Sequence, residues 1–479
     1  MGISIAMNSA VSGLTAAARG VQVASSNIAN AMTEGYAPRK LQLGTAVVGG
    51  QGAGVRVLGI ERQVDPVLTG LVRQAGADRA GADATARFWA ELETAIGASD
   101  DPFALAGRLA TFENALISAA NRPDMDQRLA AVSTAAGALV QEFQTLERHV
   151  QQARFDADRA IAREVAELND GLSRIARLNG EIVSLSASGE PPLALIDERQ
   201  TLITRMAEIV PLREYVSPEG RSVLYTEGGQ LLLDVMPSTV GFTPVNAVEA
   251  GMSRENGLST LTFNGRPVTN PGEGGAFGGG RLAALFEVRD RHGVAAQAEL
   301  DRMAGDLIAR FAADEIEPDA PGAPRLFHEF SPNGEPGLAG RLRLNELVQP
   351  DAGGQLWRLR EGLGADENDP RGPVGDASQI NRWIEALQAP FSTQPGETKV
   401  SYRDSLGRSI SAISQARQGA EDRQSHASAR ATELHERVLA KGVDTDAEMQ
   451  RLVLIEQAYA ANARLIQVAD QMLRRLMEI

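Results

Sequence analysis

Heptad seams at both ends of this 479-residue chain restrict its fold more than any other feature. Near the N-terminus, Met7, Val11, Leu14, Ala18, Val21 and Ile28 follow four- and three-residue steps, with only Ser25 polar in the series. Such spacing lets one helix bury a stripe against another. At the other end, Leu452, Ile455, Tyr459, Asn462, Ile466, Ala469, Leu473 and Leu476 step by three and four without a break. Thr445 and Glu448 form a capping-box pattern beside Asp444 and Asp446, which marks a helix start. Arg474 and Arg475 in the last turn suit the helix dipole. Full burial of the C-terminal stripe is worth on the order of 10 kcal/mol, at about 1.5 kcal/mol per large apolar side chain. Isolated helices of this length are marginal in water. The two ends are therefore expected to pair with each other, with copies in other subunits, or both. A helical core at both termini of an ordinary globular protein is the competing reading. Gly13 and Gly20 cost roughly 1 kcal/mol each inside a helix; we read them as points of close helix approach, the alternative being glycines that the helix merely tolerates.

Composition narrows the partners. The hydrophobic fraction of 43% supports packed cores, and aromatics at only 4% leave Ala and Leu to carry them, which favours helix. A net charge of −15 argues against nucleic acid or an anionic membrane as the main partner. The chain contains no cysteine, so disulfides, cysteine zinc sites and thiol chemistry are excluded. No run reaches the ~18–20 apolar residues that span a bilayer. The N-terminus does not read as a cleavable signal, because Asn8, Ser9, Ser12 and Thr15 interrupt its apolar residues and the first charged side chain is Arg19. Export would need another route.

Inward from the ends, residues 38–66 alternate apolar with polar or small residues among glycines and read as a β-hairpin region. Pro123 suits the start of a long helix. Its seam runs Leu129, Val132, Ala136, Leu139, Phe143, Leu146, Val150, Ala153, then Ile161, Val165, Leu168, Leu172, Ile175, Ile182. The join between the two series is a run of four-residue steps, a stutter. Asn169-Asp170-Gly171 is a candidate kink or break. Ser188 to Pro192 ends the block, and a further helix is expected near 195–209. Val223, Tyr225, Leu231 and Leu233 around Gly228-Gly229 predict a hairpin, and Thr260 to Phe263 before Asn264-Gly265 a strand and turn. A glycine-rich loop spans Pro271 to Gly280, helix returns over 281–312, 378–390 and 401–440, and 313–375 is β-rich or irregular.

The expected fold is mainly α with a β-rich middle, in nested layers. Paired coiled-coil helices from 1–60 and 441–479 form a terminal assembly domain. Residues 61–212, 281–312 and 376–440 form a long helical rod, and 213–280 with 313–375 a projecting β-rich outer domain.

No enzyme chemistry stands out. His328-Glu329 and His435-Glu436 each begin a zinc motif, but Pro332 and Leu439 stand where the second histidine must be. Asp366-Glu367-Asn368-Asp369 lacks the spacing of a calcium loop. Gly272 to Gly280 lacks the Lys-Ser or Lys-Thr of a phosphate loop. Among 62 acidic residues no carboxylate pair can be singled out. No catalytic residue, cofactor or metal is expected.

The informative motif follows the first seam: Ser26-Asn27-Ile28-Ala29-Asn30-Ala31-Met32-Thr33-Glu34-Gly35-Tyr36. Asn30 and Gly35 suit a helix end and turn because both tolerate positive φ, and Tyr36 can anchor it. The stretch resembles the Asn-x-x-Asn-x-x-Thr-x-Gly-Tyr signature of flagellar rod, hook and hook-associated proteins. Further in, Asn169 to Ile182, Leu195-Ile196-Asp197-Glu198-Arg199, Gly228 to Leu232, Gly280 to Arg289, Gly442-Val443-Asp444 and Gln457 to Arg464 are similar to segments of the hook-associated protein 1 family. Departures are Ala37-Pro38 where the family reads Ser-Arg after its Gly-Tyr, and Ile196 and Gln200 in the Leu-Asp-x-Arg-Asp stretch.

The resemblance implies a structural, non-enzymatic subunit at the hook–filament junction of the bacterial flagellum. Its implied partners are copies of itself in a ring, the hook protein, the second junction protein (hook-associated protein 3), a cytoplasmic export chaperone and the flagellar type III export apparatus. The implied location is extracellular, after secretion with an uncleaved N-terminus. A hook or distal-rod axial subunit is the alternative, against which the long helical block argues; a wall hydrolase on an axial scaffold would need a catalytic constellation. The expected assembly residues are Val11, Leu14, Val21, Ile28, Asn30, Gly35, Tyr36, Ile455, Tyr459, Ile466, Leu473 and Leu476.

Overall fold

The structure, a computed structural model, describes residues 2–33, 35–48, 51–98, 101–189, 191–317, 325–330, 334–365, 372–393, 396 and 398–477. For Gly2, Ile3, Val48, Gln51 and Leu476 it describes the backbone alone. In chain order the elements are α1 (Gly2–Ala29), β1 (Arg39–Val48), β2 (Gln51–Arg62), α2 (Pro66–Ile96), α3 (Leu105–Asn121), α4 (Asp126–Ala187) and α5 (Leu193–Ile209). Then come β3 (Leu212–Val216), β4 (Ser222–Thr226), β5 (Leu231–Leu233), β6 (Val240–Gly241), β7 (Thr262–Phe263), β8 (Arg266–Pro267) and α6 (Gly280–Glu287). A π-helical turn over Val288–His292 joins α6 to α7 (Gly293–Ala312). The chain continues with β9 (Phe327–Glu329), α8 (Leu338–Arg341), β10 (Leu342–Leu344), α9 (Arg358–Glu361), α10 (Ser378–Gln388), α11 (Tyr402–Leu439) and α12 (Thr445–Met477). The fold is mainly α, with small antiparallel sheets, as the sequence predicts.

The chain divides into two compact units. The first comprises Met1–Arg79, Glu167–Thr239 and Ala427–Ile479. Here α1 and α12 pack against each other, as the terminal seams lead one to expect. A Cβ on Gly13 would lie 2.6 Å from Asn462 Nδ2, and one on Gly20 would lie 3.0 Å from Ile455 Cδ1, so both glycines are points of close approach. The β1–β2 hairpin lies on the same helix, with Val55 N–H donating to Ser12 Oγ at 3.1 Å. Gly54, at φ +104°, passes so close to Ser9 and Ser12 that no side chain fits. Sheet β3–β4–β5 packs in the same unit, and Gly171 of α4 admits the Met206 side chain of α5.

The second unit comprises Ala80–Ala166 and Val240–His426. Its core is the first half of the α4 seam, with Leu129, Val132, Ala136, Leu139, Phe143, Leu146 and Val150 all buried against α3, α7 and α10 residues such as Phe112, Phe311 and Trp383. Phe327 meets Phe112 and Phe311 edge-on at 5.5 and 5.0 Å. Asn264 (φ +48°) and Gly265 (φ +77°) form the turn between β7 and β8 that the Asn-Gly pair predicts.

Three expectations need correction. The long helix starts at Asp126, not at Pro123, which lies in the preceding turn. It also runs unbroken through Asn169-Asp170-Gly171 as one 62-residue helix, because Gly171 provides space for Met206 rather than a bend. The start of α12 is capped by Asp444, whose Oδ1 accepts from the amides of Asp446 and Ala447 at 3.0 Å, and not by a Thr445–Glu448 box. Pro332 and the Asp366–Asp369 cluster lie outside the described residues.

The stutter in α4 holds an ionic cluster. At four-residue steps from Val150 come Arg154 and Asp158, both fully buried. Arg289, also fully buried and in the π-turn, donates to Asp158 at 2.6 Å and to Asp290 at 2.6 Å. Arg154 donates to the carbonyls of Arg289 (2.9 Å), Glu249 (3.1 Å) and Met252 (2.7 Å). A Cβ on Gly293 would lie 2.4 Å from Arg154 Cγ, so the residue after the π-turn must be small.

His292, the last residue of that turn, packs edge-on against Trp89 at 5.6 Å and stacks on Phe88 at 6.4 Å. Burial, then the nearby Arg291 and Arg423 cations, push its pKa below the ordinary value of 6.5. A lowered folded-state pKa gives stability that is present above pH ~6.5 and is lost as pH falls through the folded value. His292→Gln should therefore show a smaller drop in thermal midpoint between about pH 7.5 and 5.5 than the parent chain. Parallel curves in a pH series of thermal melts would remove His292 from the acid response.

Candidate functional site

The residues of the Asn-x-x-Asn motif close a turn between α1 and β1. Asn27 is fully buried in the last turns of α1. Its Nδ2 donates to the Arg39 carbonyl at 2.9 Å and to Glu448 Oε1 of α12 at 2.8 Å. Its Oδ1 accepts from Tyr36 Oη at 2.8 Å and from the Arg39 amide at 3.0 Å. A primary amide offers two donors and two acceptor sites, and all are used. Tyr36 Oη also lies 3.3 Å from Ser26 Oγ, and the Arg39 guanidinium stands over the Tyr36 ring at 4.9 Å.

Asn30 closes the helix end differently from the expectation. Its φ is not positive; instead its Nδ2 donates to the Ser26 carbonyl at 2.9 Å, while its backbone carbonyl accepts from Thr33 N–H at 2.9 Å. Gly35 does take the left-handed conformation, at φ +79°, and a Cβ there would lie 2.1 Å from Thr201 Oγ1 of α5. The turn is thus seated on α5.

Behind it lies a polar network built from the other motif residues. Asp197 of α5 binds Arg39 at 3.1 Å and Arg62 at 2.6 Å, tying both ends of the β1–β2 hairpin to α5. Arg199 donates to Asn179 Oδ1 at 2.8 Å, and Asn179 pairs with the backbone of Ser222 in β4 at 2.9 and 3.0 Å. Glu214 accepts from Arg73 and Gln200, both at 2.8 Å, and from Ser222 Oγ at 2.5 Å. Burial alone would raise the Glu214 carboxyl, but Arg73 and these hydrogen bonds hold it below the ordinary carboxylate range.

The other expected assembly residues fall on two faces. Ile455 and Ile466 are half-buried, Ile455 against Gly20 of α1. On α12, Tyr459 is 48% exposed and Leu473 39%, and the Leu476 side chain lies outside the description. On α1 the residues buried against neighbours are Ala10, Ala16, Ala17, Gly20, Val23, Ala24 and Asn27. Val11 and Val21 are exposed, and Leu14 and Ile28 half-buried. The large-residue seam of α1 therefore lies off the buried face, because the close approach of α12 selects alanine and glycine. A second exposed apolar row on α12, including Val453, Leu465, Val468 and Met472, was not singled out by the sequence pattern. Asn27, Glu448, Arg39 and Asp197 were likewise missed as site residues; the motif spacing holds Asn27 but does not reveal its partners. Among the described residues no group of three or more His, Asp and Glu side chains could hold a metal ion, and no helix is long and apolar enough to cross a membrane.

Asp197→Ala should leave two largely buried arginines without a counter-charge. We expect a loss of about 2–3 kcal/mol in urea unfolding of the full chain, below the value for a fully buried pair because some solvent reaches the site. An unchanged midpoint would show that Arg39 and Arg62 find other partners.

Comparison with known proteins shows what the chain is similar to. Residues 89–314 match the model of the flagellar hook-associated protein FlgK helical domain. Residues 437–479 match the flagellar basal body rod FlgEFG protein C-terminal family, and residues 7–36 match the flagella basal body rod protein family. Flagellar hook-associated protein 1 of Salmonella typhimurium is 29% identical over 239 residues, 48% of this chain and 43% of that protein. Its namesakes in Escherichia coli K12 and Bacillus subtilis are 27% and 22% identical over 226 and 235 residues, covering 46% and 47% of this chain and 41% and 46% of theirs. The matched stretch thus spans less than half the length of each relative. The solved structure of the flagellar hook junction protein FlgK from Burkholderia pseudomallei superposes with a TM-score of 0.46 at 19% identity, covering 55% of this chain and 47% of that one. The chain is thus similar to flagellar hook-associated protein 1 over its helical body, and to flagellar axial proteins at its two paired ends.

Proposed function

We propose that this chain is a structural subunit of the bacterial flagellum at the hook–filament junction, required for filament assembly on the hook. The observation that carries the reading is the outer face of the paired terminal helices. α12 leaves Val453, Leu454, Leu465, Val468 and Met472 exposed along it, and α1 adds Val11 and Val21. An apolar row of this length on one helix is a surface for another subunit rather than for water. A hook or distal-rod subunit is the second reading; the matches at residues 7–36 and 437–479 are compatible with it, but the helical domain at 89–314 favours the junction.

Similarity to structural flagellar proteins argues against an enzyme and for association with other flagellar components. In this reading the partners are further copies of the chain in a ring, the hook protein and hook-associated protein 3. The type III export apparatus and a cytoplasmic chaperone on the C-terminal segment act before assembly, and the assembled protein stands outside the cell. Nucleic acid and membrane take no part. The work divides three ways: 1–60 with 441–479 assemble, 61–212 with 281–312 and 376–440 form the helical rod, and 213–280 with 313–375 face outward. The twelve residues expected from the sequence, with the exposed α12 row, form the proposed contact set.

Deleting the gene should leave bare hooks in electron micrographs, with unpolymerised filament protein in the medium. Missing hooks would favour the rod or hook reading, and intact filaments would refute both. Leu465→Asp with Met472→Asp adds charge only to exposed positions. Helical content should stay at the parent level while incorporation is lost. Motile cells with normal filaments in that variant would remove the α12 face from assembly.

A further inference from the structure

We propose that Asn27, through Glu448, sets the register in which the two terminal helices pair. α1 and α12 touch at three points spaced by seven residues: Gly13 with Asn462, Gly20 with Ile455, and Asn27 with Glu448. The numbers rise along α1 and fall along α12, so the pair is antiparallel. Between these points the buried face of α1 is alanine, glycine and one valine. Such a face distinguishes poorly between registers one heptad apart. A slip in one direction brings Gly20 to Asn462, a side chain that Gly13 already accommodates, and Gly13 to Ala469, which is small. A slip in the other brings Gly13 to Ile455, which Gly20 already accommodates.

Only the third point refuses either slip. In the first, the fully buried Asn27 amide would face Ile455 and lose its carboxylate. In the second, Glu448 would face Gly20, which has no donor side chain. Glu448 has little else to turn to: its Oε2 is buried without a hydrogen-bond partner, and Arg451 stands 3.9 Å from Oε1. Leaving one buried polar group unsatisfied disfavours the slipped pairs about tenfold or more. A single buried asparagine fixing register in an otherwise degenerate apolar seam has the same physical basis in coiled coils. Asn27 and Glu448 are thus positioning residues: the register they select decides which side chains of α12 remain on its outer face. The inference concerns the isolated chain and does not rest on the assembly reading.

The absence of native cysteine makes the test direct. Three pairs are introduced separately into the full-length chain and oxidised: G20C with I455C for the observed register, and G20C with N462C or G13C with I455C for the two slips. In the parent background only the first should form an intrachain disulfide. Adding Asn27→Leu and Glu448→Leu together replaces both polar partners by apolar ones. Helical content should be kept while the slipped-to-observed cross-link ratio rises about tenfold or more. An unchanged ratio overturns the proposal. So does loss of terminal helicity in this variant, since Asn27 would then act on stability alone. Glu448→Gln keeps an accepting oxygen and should hold the observed pair; slipped cross-links there would equally count against it.

Discussion

The first unit depends on one buried amide. Asn27 makes four hydrogen bonds to three parts of the chain: the tyrosine turn, the start of the hairpin, and the C-terminal helix. None of those parts is self-sufficient. The hairpin is two strands, which are marginal alone in water. The turn needs a left-handed glycine wedged against α5, and α12 leaves much of its apolar surface exposed. A polar group that must be satisfied in one place, or else cost more than an ordinary hydrogen bond contributes, gives these weak elements a common point of reference.

The second unit solves a related problem with charge. Its long helix keeps a regular apolar seam until the stutter, where an apolar side chain would no longer point at its neighbours. Arg154 and Asp158 take those positions and are matched by Arg289 from a π-turn. The cluster uses backbone carbonyls of the 249–252 loop as acceptors, so it also anchors a segment with no sheet of its own.

What the sequence made legible follows from which physical signal dominates. The α4 seam was readable residue by residue, because a helix covered on one side buries every large apolar side chain at that spacing. The Asn264-Gly265 turn and the close approach at Gly13 and Gly20 were readable because positive φ and tight helix contact favour a narrow set of residues. On α1 the seam marks one face and the contact with α12 uses another. Periodicity marks the face with large residues, but the tighter contact with α12 buries the small ones, and small residues carry no hydrophobic signal. The capping pattern at Thr445 misled for a similar reason, since Asp444 is as good a cap and Glu448 is taken by Asn27. Apart from Tyr36, nine positions on, the partners of Asn27, Asp197 and Arg199 described above lie 12 to more than 400 positions away, and no local pattern encodes such pairings.

Arg310 shows what such side chains can do in place of secondary structure. Its guanidinium donates to the carbonyls of Ala386, Ala389 and Val400, at 3.2, 2.8 and 2.7 Å, while Asp306 holds its Nε and the rings of Phe391 and Tyr402 flank it. The described ends of the crossing from α10 to α11, bridged by Phe391 and Val400, therefore close around a flat, five-donor cation. A lysine would carry the same charge but has neither the plane nor the fork. At this position, then, formal charge is the least informative property of the residue, and shape is what the backbone reads.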